Sequence, residues 1–431
     1  MDKMADVLGR AGAWCGQNKY LSAIKNAFQN FMPLTIAGAI GVLWCNVLVN
    51  DQTGLGLFFK PIMALDFLNP AFQAVNFCTI SCITVGITLG IAQEIGVWNM
   101  GAEKAGYIPG LVGLAAWLSV TNTSHMVEGA KEAFTGIAGN ELGATGLFTG
   151  MIIGVLSVEL FCFFEKQDAL KIKMPEQVPP GVARAFEVLV PATITLIITA
   201  CIGSACYNLT GLYLNDVIKN GIQGPLGAVG ATIPGVMIIY LVIMLFWLVG
   251  IHGNNMLSAV KEALFTPLAL ENVEKFNKGE KPTNIINMYA LQMWGEFGGS
   301  GVTIGLVIAI MIFGKREDNK AIATLSLVPG LFNINETVTF GVPMVLNPIL
   351  GIPFVVAPLI TIIIGYVLTV IGFCPVACLT VPWTTPPIVF GFLACGANVM
   401  GAVTQAILIV VSTVIYLSLI HISEPTRLRC I

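Results

Sequence analysis

The chain has 431 residues, 56% of them hydrophobic and only 10% charged, with a formal net charge of −3, whereas soluble domains carry about 25% charged residues. This balance excludes an ordinary soluble domain and offers no basic surface for nucleic acid. The chain reads as an all-α polytopic membrane protein whose surroundings are the lipid bilayer.

The N-terminal stretch MDKMADVLGRAGAWCGQNKYLSAIKNAF has amphipathic helical spacing and carries Lys3, Arg10, Lys19 and Lys25. No short apolar core precedes a small-residue cleavage site, so residues 1–25 are expected to form a surface helix rather than a signal peptide. Their positive charge puts the N-terminus in the cytoplasm. Three charge-free runs, 26–50, 67–93 and 188–215, each exceed the ~20 residues that cross a bilayer core as helix. Spans are expected near 26–49, 69–92, 105–120, 143–164, 188–210 and 228–250.

Counted from a cytoplasmic start, the segment EKQDALKIKMPEQVPPGVAR falls inside and carries Lys166, Lys171, Lys173 and Arg184. The segment 251–281 also falls inside and holds Lys261, Lys275, Lys278 and Lys281, so both obey the positive-inside rule. Beyond it, the apolar stretches 282–295 and 321–335 are too short to cross as separate helices. They are expected to form two re-entrant hairpins, one carrying NMYALQMWGEFGGSG (287–301) and one the NINE stretch. Residues 337–423 contain no Asp, Glu, Lys or Arg, leaving room for spans near 346–371, 374–393 and 399–418. The chain thus divides into a plain scaffold half, 26–210, and a half, 211–418, in which nearly every unusual residue lies.

LFNINETVTFGVP (331–343) sets Glu336 among Asn333, Asn335, Thr337 and Thr339 in a highly apolar region. A carboxylate at the bilayer centre costs at least ~2.5 kcal/mol by insertion scales, so it needs a partner or a ligand. β-branched residues, Gly341 and Pro343 make this stretch poor helix material. Irregular backbone at membrane depth survives only beside protein or a water-filled cavity, so Glu336 is expected to face a cavity. The plainer alternative is an interfacial carboxylate capping a broken helix.

His252, in FWLVGIHGNNM, lies between two glycines and before Asn254 and Asn255. Small neighbours allow close approach, and an imidazole both donates and accepts. It is expected to contact a ligand, whereas His125 in TNTSHMVEG reads as structural. Gln292, Trp294 and Glu296 precede GGSG, which lacks the lysine of a phosphate loop and reads as a hinge or hairpin tip. Trp294 and Trp383, the latter in VPWTTPP, suit either ligand stacking or an interfacial belt. Carboxylate, imidazole, amides and indoles together suit a polyhydroxylated neutral ligand, because each hydroxyl wants a donor and an acceptor. The pairs Cys78/Cys82 and Cys374/Cys378 lack histidine or carboxylate companions and read as small buried hydrophobes. No metal or cofactor is expected.

At these residues the sequence resembles the membrane component, enzyme IIC, of lactose/cellobiose-type phosphotransferase systems, the diacetylchitobiose members in particular. The resemblance runs from NKYLSAIKNAFQNFMPLTIAGAI through WLVGIHGNNM and PGLFNINETVTFGVPMVLNP to VPWTTPP; Thr337 stands where many members have proline. It implies a homodimer in the bacterial plasma membrane, with about ten transmembrane helices and two re-entrant hairpins per subunit. The N-terminal half would supply much of the dimer contact and the C-terminal half would bind sugar. It implies that His252 and Glu336 lie near the 6-hydroxyl of a β-linked disaccharide, diacetylchitobiose or cellobiose. That hydroxyl receives phosphate from a phosphocysteine on enzyme IIB, itself charged by enzyme IIA. The tail LIHISEPTRLRCI departs from the family pattern, so residues 419–431, with His421 and Cys430, are set aside as non-native sequence.

Two rival readings remain at this stage. In a proton-coupled sugar symporter, Glu336 and His252 would be a titrating pair. A membrane transferase acting on lipid-linked sugars is weaker, because no metal-binding or diphosphate-binding acidic motif is present.

Overall fold

A computed structural model describes residues 2–51, 55–125, 134–175, 177–342, 344, 345 and 347–423. Among these residues, helix dominates, and the strands are one two-residue pair, Ser124–His125 against Phe134–Thr135. Among the described residues five helices are long and apolar enough to cross a membrane: Lys19–Leu48, Ala144–Glu165, Pro180–Thr210, Gly351–Val370 and Val399–Ser418. A sixth span results if Lys60–Ser81 and Ile83–Met100, bent by 42° at their junction, are taken together. Three further apolar helices, Ile108–Val120, Ile233–Leu248 and Ile304–Phe313, are shorter.

The chain divides into two packing units. One comprises residues 17–35 and 77–227. Asn18 starts its first helix, its Oδ1 accepting from the N–H groups of Tyr20 and Leu21 at 3.1 Å each, as an N-cap amide does. Its helices Ile83–Met100 and Ile108–Val120 approach closely through small residues: a Cβ on Gly113 would lie 2.3 Å from that of Ala92, and one on Gly96 would lie 2.2 Å from Pro109 Cβ. Close backbone approach of this kind is how helices associate where no water supplies a hydrophobic drive. At one end the buried carboxylate of Glu165 accepts from Lys104 Nζ (2.8 Å) and Arg184 Nη1 (3.0 Å).

The other unit comprises residues 1–16, 36–76 and 228–431. Its core gathers Tyr240, Trp247, Phe265, Trp294, Phe354 and Tyr416. The sequence GGSG makes the turn between Met288–Gly295 and Ile304–Phe313. Gly299 and Gly301 have φ of +89° and +83°, and a Cβ on Gly301 would lie 2.3 Å from the Phe354 ring. Conformation and space both demand glycine there.

Two expectations are corrected here. The apolar run 374–393 is not a span: residues 374–388 are irregular and only Val389–Ala394 is helical. Pro375, Pro382, Pro386 and Pro387 remove N–H donors and fix φ along this stretch. The freed backbone is held instead by cross-bonds, Cys378 and Leu379 N–H to Ala394 O (2.8 and 3.1 Å), and by Asn272 and Asn287 Nδ2 donating to Ala377 O (3.0 and 3.1 Å). Second, the stretch after NIN is not irregular throughout, since Glu336–Gly341 forms a short helix, with Thr339 N–H donating to Asn335 O at 2.9 Å.

Cys374 and Cys378 are buried as expected, whereas Cys78 is exposed and Cys82 half-buried. The last helix runs Val399–Ser423; residues 424–431 of the set-aside tail, Cys430 among them, lie outside the described residues.

The turn yields a direct test. Gly301→Ala should destabilise the protein by about 2 kcal/mol or more, combining left-handed strain with overpacking against Phe354. Gly279→Ala, where φ is +73° and nothing lies within 4 Å, should cost only the strain, about 1 kcal/mol. Thermal unfolding of the two variants in the same detergent checks the difference.

Candidate functional site

Five chain segments of the second unit converge on one cavity of about 200 Å³. Its lining includes nine residues singled out from the sequence: His252, Asn254, Asn255, Gln292, Glu296, Asn333, Asn335, Glu336 and Trp383. The tenth, Trp294, is not among them. Its indole is only 1% exposed and occupies the notch left by Gly365, where a Cβ would sit 2.4 Å from Trp294 Cδ1. Trp294 is therefore a core residue behind the site, neither a stacking face nor an interfacial anchor.

His252 follows the Ile233–Leu248 helix and caps the short helix Gly253–Met256, its Nδ1 accepting from Asn255 N–H at 3.3 Å. Accepting through Nδ1 puts the proton of a neutral imidazole on Nε2. That nitrogen faces Glu336 Oε1 at 3.6 Å, too far for a direct hydrogen bond. Trp247, with ring centroid 4.5 Å away, backs the imidazole. Glu336 opens the Glu336–Gly341 helix, and its half-exposed carboxylate sets an acceptor next to the His252 donor, where one hydroxyl lying beside the pair can bond to both.

The amides divide into two kinds. Asn333 is saturated by backbone: Oδ1 accepts from Gly298 N–H at 2.6 Å, and Nδ2 donates to Trp383 O and to Thr385 O at 3.2 Å. Its φ of +63° is one that asparagine tolerates better than most residues. Asn335 Nδ2 donates to Ser300 O (2.7 Å) and Thr339 Oγ1 (3.1 Å). These two brace the cavity wall. By contrast, Asn254 Oδ1 and Gln292 Oε1 are buried and accept no hydrogen bond, although Asn254 Nδ2 donates to Ser300 Oγ at 3.1 Å. A buried amide oxygen without a donor is costly, and both line the cavity.

Glu296 is held from behind. Tyr240 Oη donates to its Oε1 at 2.6 Å, and Lys261 Nζ bonds the same oxygen. Lys261 is 6% exposed, so it does not serve as a cytoplasmic loop charge as its place in 251–281 suggested. Its spacing gave no sign of a partner 35 residues away. Sequence reasoning also missed Gln405. From the last helix, its Oε1 accepts from Ile388 and Gly391 N–H (2.7 and 2.8 Å), and its Nε2 donates to Met293 O (3.3 Å). A lone glutamine in the charge-free run AVTQAILIVV was the available signal. Phe297, Gly299, Ser300, Ile334 and Phe390 complete the wall.

The chain matches the family described as phosphotransferase system, EIIC, over residues 25–358. It is 31% identical to the oligo-β-mannoside-specific EIIC component of Bacillus subtilis (strain 168), covering 99% of this chain and 95% of that one. It is 29% identical to the cellobiose-specific EIIC component of Lactococcus lactis subsp. lactis (strain IL1403), covering 96% and 95%. The crystal structure of the transporter ChbC, the IIC component from the N,N'-diacetylchitobiose-specific phosphotransferase system, superposes with a TM-score of 0.87 at 29% identity over 95% of both chains. Family match, relatives and fold agree with the resemblance carried by GIHG and NINE: the chain belongs to the phosphotransferase system EIIC family, as the sugar permease of such a system.

Proposed function

We propose that this permease takes up a β-linked disaccharide, cellobiose or diacetylchitobiose, and presents its 6-hydroxyl for phosphorylation by phosphorylated enzyme IIB. The observation that carries the reading is the pair His252 Nε2 and Glu336 Oε1, 3.6 Å apart and both on the cavity wall, so that a hydroxyl seated beside them reaches both. A hydroxyl there accepts from Nε2–H and donates to the carboxylate, so both halves of its hydrogen-bonding capacity are used. The unpartnered oxygens of Asn254 and Gln292 take further hydroxyl donors. Trp383, partly exposed at the cavity, offers a face to a sugar ring.

In the reaction, the 6-oxygen bonds to phosphorus as the bond from phosphorus to the cysteine sulfur of enzyme IIB breaks. The sulfur leaves as thiolate, and Glu336 accepts the hydroxyl proton. Phosphoryl transfer depends chiefly on positioning and charge stabilisation, and an anion beside incoming phosphate repels it. Glu336 therefore contributes more to holding sugar than to speeding chemistry. The wider reading includes a homodimer in the bacterial plasma membrane, a cytoplasmic N-terminus, about ten spans with two re-entrant hairpins, a dimer-forming first half and enzyme IIA upstream. Helix–turn–helix segments around GGSG and NINE support the hairpins. Family membership leaves the proton-coupled symporter without support.

Membrane vesicles given radiolabelled cellobiose or diacetylchitobiose, with and without enzyme IIB, its upstream donors and phosphoenolpyruvate, test the reading. Internal sugar should be phosphorylated only when all components are present; free sugar driven by a proton gradient alone would overturn it. Glu336→Gln should raise the apparent KM roughly tenfold to a hundredfold, the worth of a hydrogen bond to a charged group. The maximal rate should fall less than the ~10²-fold lost with a general base. Full uptake and phosphorylation in this variant would remove Glu336 from the site. Gln292→Ala should weaken sugar binding roughly threefold to tenfold at unchanged stability. Gln405→Ala, which strands three backbone groups, should lower stability by about 1–3 kcal/mol; isothermal binding and thermal unfolding separate the two.

A further inference from the structure

We infer that Lys261 is a positioning residue for sugar: together with Tyr240 it fixes one oxygen of Glu296 and balances its charge, so that the other oxygen serves as a second carboxylate acceptor in the cavity. The inference rests on the sugar-permease reading above and assigns a role to a buried cation that the mechanism does not otherwise use. Three observations carry it. Lys261 Nζ and Tyr240 Oη both bond to Oε1 of Glu296, while Glu296 itself lines the cavity. Lys261 is 6% exposed and its ammonium lies 5.5 Å from the centroid of the Tyr240 ring, so a charge desolvated to this degree is bound to its partner geometrically as well as electrically. Among the lining residues there is no lysine or arginine, whereas there are two carboxylates, Glu296 and Glu336.

Two unbalanced carboxylates in one cavity would repel each other and any incoming phosphoryl group. Lys261 cancels one of them from behind the wall, without filling space in the cavity, and leaves the net charge at the site to Glu336. The sugar then meets two unlike carboxylates. Glu336, across from an imidazole, receives the hydroxyl to be phosphorylated, and Glu296, neutralised by its ion pair, receives a hydroxyl that stays unreacted. Lys261 touches no substrate. It acts through Glu296.

The test is equilibrium binding of radiolabelled cellobiose and diacetylchitobiose to the full-length protein purified in detergent. Dissociation constant and stoichiometry are measured separately for the wild type, Lys261→Met, Tyr240→Phe, Glu296→Gln and the double variant Lys261→Met/Glu296→Gln. Lys261→Met should weaken binding by the binding-competent fraction roughly tenfold to a hundredfold. Tyr240→Phe, which leaves both charges in place, should weaken it roughly threefold to tenfold and gives a readout even where Lys261→Met does not fold. The double variant should bind more tightly than Lys261→Met alone, because a neutral amide no longer needs the ammonium. A purely structural Lys261 would lower stoichiometry with the dissociation constant unchanged in all variants, and that pattern overturns the inference, as does a double variant that binds no more tightly than Lys261→Met. A wild-type protein that binds neither sugar removes the sugar reading and this inference with it; wild-type binding with unshifted constants removes the inference alone.

Discussion

Irregular backbone in a low-dielectric setting persists only where each freed N–H and C=O finds a partner, and in this protein side-chain amides supply those partners. Asn287 satisfies the N–H groups of Tyr289 and Ala290 with Oδ1 while Nδ2 reaches Asn284 O and Ala377 O. Asn272 bonds the N–H groups of Thr283 and Asn284 and reaches Ala377 O. Asn333, Asn335 and Gln405 do the same for the GGSG turn, the VPWTTPP stretch and the 388–391 corner. Without these five side chains the segments around the cavity would leave buried carbonyls and amides unpaired, each at about 1–3 kcal/mol. The cavity exists because the chain can leave helical geometry there.

Within that frame the two carboxylates have opposite surroundings. Glu296 is tied by two donors on one oxygen, and one of them is a buried cation. Glu336 faces the imidazole of His252 at a distance too long for a direct hydrogen bond, with the cavity beside the pair. Pairing fixes the geometry of Glu296 and leaves its second oxygen to the cavity, whereas Glu336 meets the cavity without a lysine or arginine on the wall beside it. The division follows from position: Glu296 ends the Met288–Gly295 helix against the Ser258–Asn277 helix that carries Lys261, whereas Glu336 begins a helix of its own at the cavity.

The class of fold and most of the site were legible from the sequence, because charge is so scarce that each polar residue in an apolar stretch is informative. Glu336, His252 and the amides beside them stood out on that ground and do meet in space. The errors came where one-dimensional patterns carry no three-dimensional partner. Lys261 resembled the other lysines of 251–281, and nothing in its spacing announced Glu296. Trp294 had two exposed-type readings, and only the notch at Gly365 reveals the buried one. The run 374–393 scored as a span by hydropathy while its four prolines argued otherwise, and the prolines prevailed. The short helix at Glu336 formed despite poor propensity, which is a weak prior once tertiary contacts hold the flanking turn.

The bracing by Gln405 has a mechanical corollary. One side chain from the final helix grips backbone at 388, 391 and 293 at once, and Asn333 similarly joins the 298 turn to residues 383 and 385. Walls stitched together in this way share their strain: a shift of the 298 turn or of the 388–391 corner is passed directly to residues 293, 383 and 385, so a lesion in any one of these side chains is felt on several sides of the cavity.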